Sequence, residues 1–339
     1  KTENYEYKCF LLTELEKIFL AIDSNDRFDN LEEVSKQLDK LKEPTDNNFT
    51  LYSIGHAHLD LAWLWPIRET KRKCARAMAS LFYFLEKYPN YNFGISQLQQ
   101  VSWFKHDYPE LFNKLKEYVA KGRVELQGAM WVEPDQNMPC GESLIRQIYY
   151  GKKFWKDEFD QDINNVFLPD CFGFPYSLPQ IANACGLDHF LTIKLDRNEI
   201  NRFPYTTFNW VGIDGSTLLT HFPPEADYNS TLAPASLLKA ESLFKERDNV
   251  DKAIALFGIG DGGGGPNETH LEFMNRSLDQ KALPKVKPST VENYFKDIEN
   301  EKNKIHTYNG ELYLEQHQGT LTSQATNKYF NRKLENKLC

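Results

Sequence analysis

From about residue 49 to residue 310, segments with a strand-like pattern of hydrophobic positions alternate with segments in which these positions repeat at helical spacing. Short apolar runs rich in branched and aromatic side chains predict strands, and the stretches between them repeat their apolar positions at helical spacing. The predicted strands cover residues 49–54, 91–95, 123–127, 166–168, 189–192 and 253–257, with two shorter ones at Val286 and 305–308. The predicted helices cover residues 6–40, 68–88, 97–120, 141–159, 178–184, 235–247, 267–279 and 290–300.

One pair of apolar runs departs from this alternation. Residues 206–211 and 216–222 are joined by Asp214-Gly215, which predicts an antiparallel hairpin. Elsewhere the strand–helix alternation predicts an α/β fold with a parallel sheet and outer helices, so functional side chains are expected at the carboxyl ends of strands. The pattern does not separate an open sheet from a closed barrel. From Leu321 onward it turns wholly helical, which indicates a second domain.

Charge and composition exclude two classes of partner. The 339 residues carry a formal net charge of −8 with a pI near 5.6, which argues against binding to the phosphate backbone of nucleic acids. No apolar run approaches the ~18 residues of a membrane helix. The six cysteines form no CxxC pair, which favours a reducing, cytoplasmic compartment. The chain starts at Lys1 without a methionine, and we expect it to be a fragment of a longer protein.

A candidate metal motif follows the first strand of the predicted sheet, in the segment Gly55-His56-Ala57-His58-Leu59-Asp60. On an extended backbone, His58 and Asp60 point to the same side. An imidazole and a carboxylate together suit a divalent metal such as zinc. His56 has the same parity and could form a hydrogen bond to one of the metal ligands. For this motif taken alone, a histidine in a hydrogen-bonded turn is the simpler alternative.

Two acidic residues follow other predicted strands. Asp170 lies in the segment LPDCFGFP, where Phe172 could stack against a ligand, and the alternative role for Asp170 is capping the next helix. Asp261 stands among six glycines in the segment FGIGDGGGGP. This spacing matches neither GxxxxGK nor GxGxxG, and a central carboxylate would repel phosphate. A catalytic acid in a tight loop therefore fits better than a phosphate loop.

Two further segments carry aromatic rings and a histidine. Trp131 and Glu133 place a ring beside a carboxylate after a strand, a combination that sugar sites need, and Trp63 adds aromatic surface just after Asp60. Core packing is the alternative for each tryptophan. His317 precedes a glycine turn, and a capped turn with an incidental histidine is favoured for that segment taken alone.

Taken together, the segments GHAHLDLAWLWP, GAMWVEPD, LPDCFGFP, IGDGGGGP and LYLEQHQGTLTSQ resemble glycoside hydrolase family 38, the class II α-mannosidases, in its cytosolic and bacterial branch. The resemblance spans roughly residues 50–330. It implies a parallel (β/α) barrel of seven strands with outer helices over residues 49–310, after a helical and linker segment over 1–48. It also implies that residues 311–339 begin a three-helix bundle.

The same resemblance implies a metal site and two catalytic carboxylates. It implies one zinc ion, Zn²⁺, per chain, with another divalent metal as the alternative. The four implied ligands are His58, Asp60, Asp170 and His317. Asp170 would also be the nucleophile, and Asp261 would be the general acid/base. Trp63 and Phe172 match residues that hold the mannose ring.

The implied function is a retaining glycoside hydrolase that releases α-linked mannose from oligosaccharides through a covalent mannosyl-enzyme intermediate. Retention needs two carboxylates about 5–5.5 Å apart, which Asp170 and Asp261 would supply. Two alternatives stay open: a metal-dependent polysaccharide deacetylase, which leaves the loop of Asp261 unexplained, and a non-catalytic carbohydrate-binding fragment. The expected partners are α-mannoside oligosaccharides, with neither nucleic acid nor membrane. A homo-oligomer of the full-length protein is a further expectation.

Overall fold

The computed structural model describes residues 47–338 except Ala282, together with five isolated positions among the first 36 residues. The helix expected over residues 6–40, and most of the segment 1–48, therefore lie outside the described residues. The ten strands of the described part are β1 Thr50–His56, β2 Phe93–Ile95, β3 Val124–Leu126, β4 Asn165–Phe167, β5 His189–Leu191, β6 Thr207–Val211, β7 Thr217–His221, β8 Lys252–Phe257, β9 Lys285–Pro288 and β10 Thr307–Asn309.

These strands form two mostly parallel sheets of five strands each. In the first sheet the order is β3-β2-β1-β8, and β9 pairs with the amino-terminal half of β1. In the second sheet the order is β10-β6-β7-β5-β4. The predicted hairpin is confirmed, since β6 and β7 pair antiparallel from Thr207–His221 to Val211–Thr217. The remaining ladders are parallel, which confirms the predicted α/β class.

A closed seven-stranded barrel is not confirmed. Between β3 and β4, the N–H of Gly128 donates to the side-chain oxygen of Asn165 at 2.8 Å, where a continuous sheet would use a backbone carbonyl. On the other side, a single bridge between Ser230 and Phe257 lies outside the named strands. The backbone ladder is thus interrupted between β3 and β4, and on the other side the contact to β8 comes from a loop residue and not from a strand of the second sheet.

The helices of the described part cover the flanks of these strands. They are α1 Ile67–Lys87, α2 Leu98–Asp107, α3 Pro109–Ala120, α4 Gly141–Phe159, α5 Leu178–Ala184, α6 Pro234–Leu243, α7 Glu268–Arg276, α8 Val291–Glu299 and α9 Ala325–Leu338.

The prediction of a single helix over residues 97–120 is wrong, because Pro109 forces Tyr108 out of helical geometry, to φ −141° and ψ 64°. Within the described residues, no helix combines the length and the apolarity needed to cross a bilayer.

Helix α4 packs directly on the backbone that follows β3. A Cβ atom at Gly151 would lie 1.7 Å from the carbonyl oxygen of Ala129, so Gly151→Ala would force the two segments apart. We expect the free energy of unfolding, measured by urea denaturation, to fall by about 1–3 kcal/mol. The matched control is Gly141→Ala in the same helix, where a Cβ atom meets only Ile181, at 3.9 Å. Equal losses in the two variants would contradict this packing argument.

Candidate active site

The predicted site residues gather at the carboxyl ends of the parallel strands. His58 and Asp60 follow β1, and Asp170 follows β4. Together with Glu133 and Phe172, these residues line a cavity of about 410 Å³. A larger cavity of about 860 Å³ lies at the opposite, amino ends of β5 and β10 and contains none of the predicted site residues. The chemistry-bearing side chains thus lie where the strand-end rule places them.

Three side chains from two segments point their ligand atoms at one another. The Nε2 atom of His58 lies 3.8 Å from Oδ1 of Asp60 and 3.8 Å from Oδ2 of Asp170. The potential ligand atoms of all three residues lie within 4.8 Å of one another. Nε2 of His58 is buried and has no hydrogen-bond partner. A buried acceptor facing two carboxylate oxygens fits a divalent cation that binds nitrogen and oxygen ligands.

Glu133 orients the histidine of this cluster. Its Oε1 atom lies 3.1 Å from Nδ1 of His58, and a proton on Nδ1 leaves Nε2 as a bare lone pair. Although burial lowers the pKa of His58, the carboxylates of Glu133, Asp60 and Asp170 outweigh it and raise that pKa well above 6.5. The electrostatic field around this ring therefore favours a positive charge, which is what a metal cation would supply.

Asp170 is held by two residues that its own segment does not contain. Lys194, which follows β5, places Nζ 2.7 Å from Oδ1 of Asp170. The hydroxyl of Tyr228 lies 2.8 Å from the same oxygen. Oδ1 is thus occupied by two donors, while Oδ2 faces His58. These contacts fix the orientation of the carboxylate, so Oδ1 faces the two donors and Oδ2 faces the ligand cluster.

Asp261 reaches the same place on the glycine-rich loop after β8. Its φ of 55° is left-handed, and its carbonyl accepts the N–H of Asp60 at 3.0 Å. A Cβ atom at Gly258 would lie 2.4 Å from the carbonyl oxygen of His56, so the loop needs glycine there to pack on the β1 segment. The carboxylate of Asp261 lies 2.6 Å from the hydroxyl of Tyr228. The loop therefore places a second acid beside Asp170.

His317 lies outside the three-residue ligand cluster. It is exposed, with φ at 60°, and its ring centroid lies 4.7 Å from that of Phe172. The ring of Phe172 also lies under Nζ of Lys194, at 5.6 Å. Trp63 is 60% exposed and contacts Trp65 edge-on. The structure thus brings Phe172 to the cavity and leaves His317 and Trp63 at its margin.

Two other predicted residues have different neighbours from those expected. Trp131 donates its ring N–H to Gln99 at 3.0 Å and lines a separate cavity of about 600 Å³. His56 is buried, and its Nε2 atom lies 3.4 Å from the hydroxyl of Ser96. Burial lowers the pKa of His56 to about 3, with the charge of His58 as a second cause. His56 is therefore a neutral ring beneath the site, with no hydrogen bond to the ligand cluster.

Sequence reasoning missed Lys194 and Tyr228. Lys194 lies three positions beyond the end of β5, so the strand-end rule that selected Asp170 could have selected it as well. Tyr228 follows β7 at a greater distance, and nothing in its local sequence marks it. Both side chains are buried, and both contact Asp170.

Comparison with known proteins gives consistent matches. A model of the glycosyl hydrolases family 38 N-terminal domain matches residues 48–311. The chain is 42% identical to Alpha-mannosidase G of Dictyostelium discoideum over 86% of its length and 27% of that protein. It is 40% identical to Alpha-mannosidase 2C1 of Homo sapiens over 86% of its length and 28% of that protein.

A solved alpha-mannosidase structure from Enterococcus faecalis V583 is similar to this fold. The TM-score is 0.62 at 17% sequence identity, and the match covers 78% of this chain and 31% of that one. At this identity the likeness concerns the fold alone. The chain spans less than a third of the length of the two relatives and of this solved chain.

Proposed function

The chain belongs to glycosyl hydrolase family 38, and from this premise we propose that the full-length protein is a metal-dependent, retaining α-mannosidase. Relatives named alpha-mannosidase, at 40% and 42% identity, support mannosides as the substrate class. The observation that carries the mechanism is the single hydroxyl of Tyr228, in contact with both Asp170 and Asp261. Oδ1 of Asp170 and Oδ1 of Asp261 lie 2.8 Å and 2.6 Å from the same hydroxyl oxygen, so the distance between them cannot exceed the sum of these two lengths. This is compatible with the ~5–5.5 Å of retaining enzymes.

Asp170 is the proposed nucleophile. Its carboxylate attacks the anomeric carbon, the bond to the leaving oxygen breaks, and a mannosyl ester forms on Asp170. The ammonium group of Lys194 lies 2.7 Å from Oδ1 of Asp170 and holds the carboxylate in place for this attack. Asp261 gives its proton to the leaving oxygen in this step. It then takes a proton from the water that releases the sugar, so configuration is retained.

A cation would be held by His58, Asp60 and Asp170, with His317 as the proposed fourth ligand. The unpartnered Nε2 of His58 and the two carboxylate oxygens beside it support this set. The contact of the His317 ring with the ring of Phe172, two positions from Asp170, supports its approach to the same place. When bound, zinc would supply a Lewis acid for the sugar hydroxyls. The chain's own task is to orient the ring of His58 through the contact of Nδ1 with Glu133, so that Nε2 faces the cation, and to orient Asp170.

The substrate is expected to contact the ring of Phe172, which lines the cavity beside Asp170. The roles of Trp63 and Trp131 as sugar contacts stay predictions. Trp63 lies at the margin of the active-site cavity, and Trp131 lines the neighbouring cavity. The alternative of a polysaccharide deacetylase gives no catalytic role to Asp261 and its contact with Tyr228. A cytoplasmic location, a homo-oligomer and a bundle beginning at residue 311 also stay predictions.

The test of the overall proposal is the anomeric outcome. The full-length protein is incubated with an aryl α-mannoside, and the first product is followed by proton NMR. We expect α-mannose to appear before it equilibrates with the β anomer, because two displacements restore the configuration. β-Mannose as the first product would exclude the covalent route, and no hydrolysis at all would favour the carbohydrate-binding alternative.

The fourth ligand has its own test. Elemental analysis of the full-length protein should find roughly one zinc per chain, because the four residues would together hold one cation. His317→Ala should lower this content, since three ligands hold the cation less tightly. The matched control is His106→Ala, which removes a histidine paired with Asp107 on the surface. Unchanged zinc content in His317→Ala would remove His317 from the site.

A further inference from the structure

Tyr228 stands between the two carboxylates of the active site. Its hydroxyl oxygen lies 2.8 Å from Oδ1 of Asp170 and 2.6 Å from Oδ1 of Asp261. Both are hydrogen-bond distances, yet a phenol carries one proton and can donate it to one acceptor at a time. The side chain is buried, so bulk water does not supply the missing donor.

The second contact therefore needs a proton from a carboxyl group. Asp170 forms an ion pair with Lys194 at 2.7 Å, so a cationic donor already faces its carboxylate. Within residues 47–338, Asp261 forms no comparable ion pair. The consistent arrangement is that the carboxylic acid of Asp261 donates to the Tyr228 oxygen while the Tyr228 hydroxyl donates to Asp170. The same arrangement is what the first step of a retaining glycosidase requires.

We propose that Tyr228 is a hydroxyl switch, which donates to Asp170 before the mannosyl ester forms and to Asp261 afterwards. The proposal rests on the retaining mechanism proposed above. When Asp261 protonates the leaving oxygen it becomes a carboxylate, and Asp170 becomes a neutral ester. A rotation of the O–H group about the phenol C–O bond then moves the donated hydrogen bond to Asp261. When water releases the sugar, the charges and the hydroxyl return to their first state.

The switch stabilises the transition states of both half-reactions. In an oxocarbenium-like transition state, Asp170 still carries much of its negative charge while Asp261 already carries part of one. The hydroxyl of Tyr228 lies between these two oxygens, so it can donate to whichever of them carries more charge. The tyrosine itself gives up no proton.

The surroundings of Tyr228 hold its ring while leaving the O–H free to rotate. The ring centroid lies 5.0 Å from that of His58. A Cβ atom at Gly260 would lie 2.6 Å from the ring of Tyr228, so the loop backbone packs directly on it. Turning the O–H between two acceptors that are both already within bonding distance requires no movement of heavy atoms.

Tyr228→Phe in the full-length protein tests the switch, because it removes the hydroxyl and keeps the ring. With a poor leaving group, kcat/KM reports ester formation, and with dinitrophenyl α-mannoside, kcat reports ester hydrolysis. We expect both quantities to fall by about 10- to 100-fold, the effect of losing a hydrogen bond to a charged group. The zinc content and the thermal midpoint should stay those of the parent. Tyr88→Phe, which removes a buried phenol that donates to Glu272 at 2.9 Å, is the matched control and should leave both rates unchanged.

Three results would overturn the switch. A loss in only one half-reaction would mean that the hydroxyl serves one carboxylate, and no loss would mean that it serves neither. Loss of zinc or of thermal stability in Tyr228→Phe would assign the hydroxyl a structural role. Failure of the underlying mechanism is recognised separately, since the parent protein would then release β-mannose or none.

Discussion

Replacing Asp170 with alanine in the full-length protein is expected to lower the rate of aryl α-mannoside hydrolysis by more than about a thousandfold. Asp170 is proposed to form the bond to the sugar and to contribute a metal ligand. Its two oxygens have separate contacts, since Lys194 and Tyr228 contact Oδ1 while Oδ2 faces His58. The rate is measured from the released aryl alcohol, and zinc per chain is measured on the same sample.

Azide separates loss of the nucleophile from general damage to the site. In Asp170→Ala, azide can enter the space of the missing carboxylate and attack an activated aryl mannoside on the face opposite the leaving group. The expected product is β-mannosyl azide, with inverted configuration. The control is Asp162→Ala, which removes an exposed carboxylate 3.0 Å from Lys152 and should keep the parent rate. Activity of Asp170→Ala within about tenfold of the parent would exclude the nucleophile assignment.

Asp261→Ala is expected to lower kcat/KM for an α-mannoside with a poor leaving group by about 10²–10⁴-fold, because the leaving oxygen then departs without a proton. With dinitrophenyl α-mannoside, whose leaving group needs no proton, kcat/KM should stay close to that of the parent. Its kcat should fall, since the water that releases the sugar lacks a base.

Azide should restore that kcat in Asp261→Ala by attacking the mannosyl ester in place of water. The product is expected to be α-mannosyl azide, with retained configuration, in contrast to the product of Asp170→Ala. The two variants thus give opposite stereochemical results if the two roles are correctly assigned. Equal losses of kcat/KM with both leaving groups would show that Asp261 is not the acid.

Several parts of the site follow from local sequence because they depend on strand geometry. His58 and Asp60 share a side by parity, and in the structure Nε2 of His58 lies 3.8 Å from Oδ1 of Asp60. Asp170 follows a short apolar strand, and parallel strands end at the same edge of a sheet. The glycines around Asp261 indicate a tight loop. The structure shows why glycine is needed at position 258, since a Cβ atom there would clash with the β1 segment.

Other parts could not be predicted in this way. Tyr228 is 58 positions from Asp170 and 33 from Asp261, and it meets both only because its loop folds back over the strand ends. Glu133 was expected to contact substrate, and the structure gives it a contact with His58 that no local pattern encodes. Trp131 shares a segment with Glu133 but lines another cavity, because neighbouring residues in a loop do not alternate predictably.

The sequence by itself determined the α/β class, the hairpin of β6 and β7, the strand-end positions of His58, Asp60 and Asp170, and the resemblance to the family to which the chain belongs. These features depend on residue periodicity and on ordered motifs, which are local properties. Only the tertiary structure decided that the strands divide into two sheets, since a side chain from Asn165 takes the N–H of Gly128. Likewise, only the tertiary structure placed Lys194 and Tyr228 on Asp170. The reason is that such contacts join distant segments, whose meeting is set by packing of the whole domain and not by any repeat along the chain.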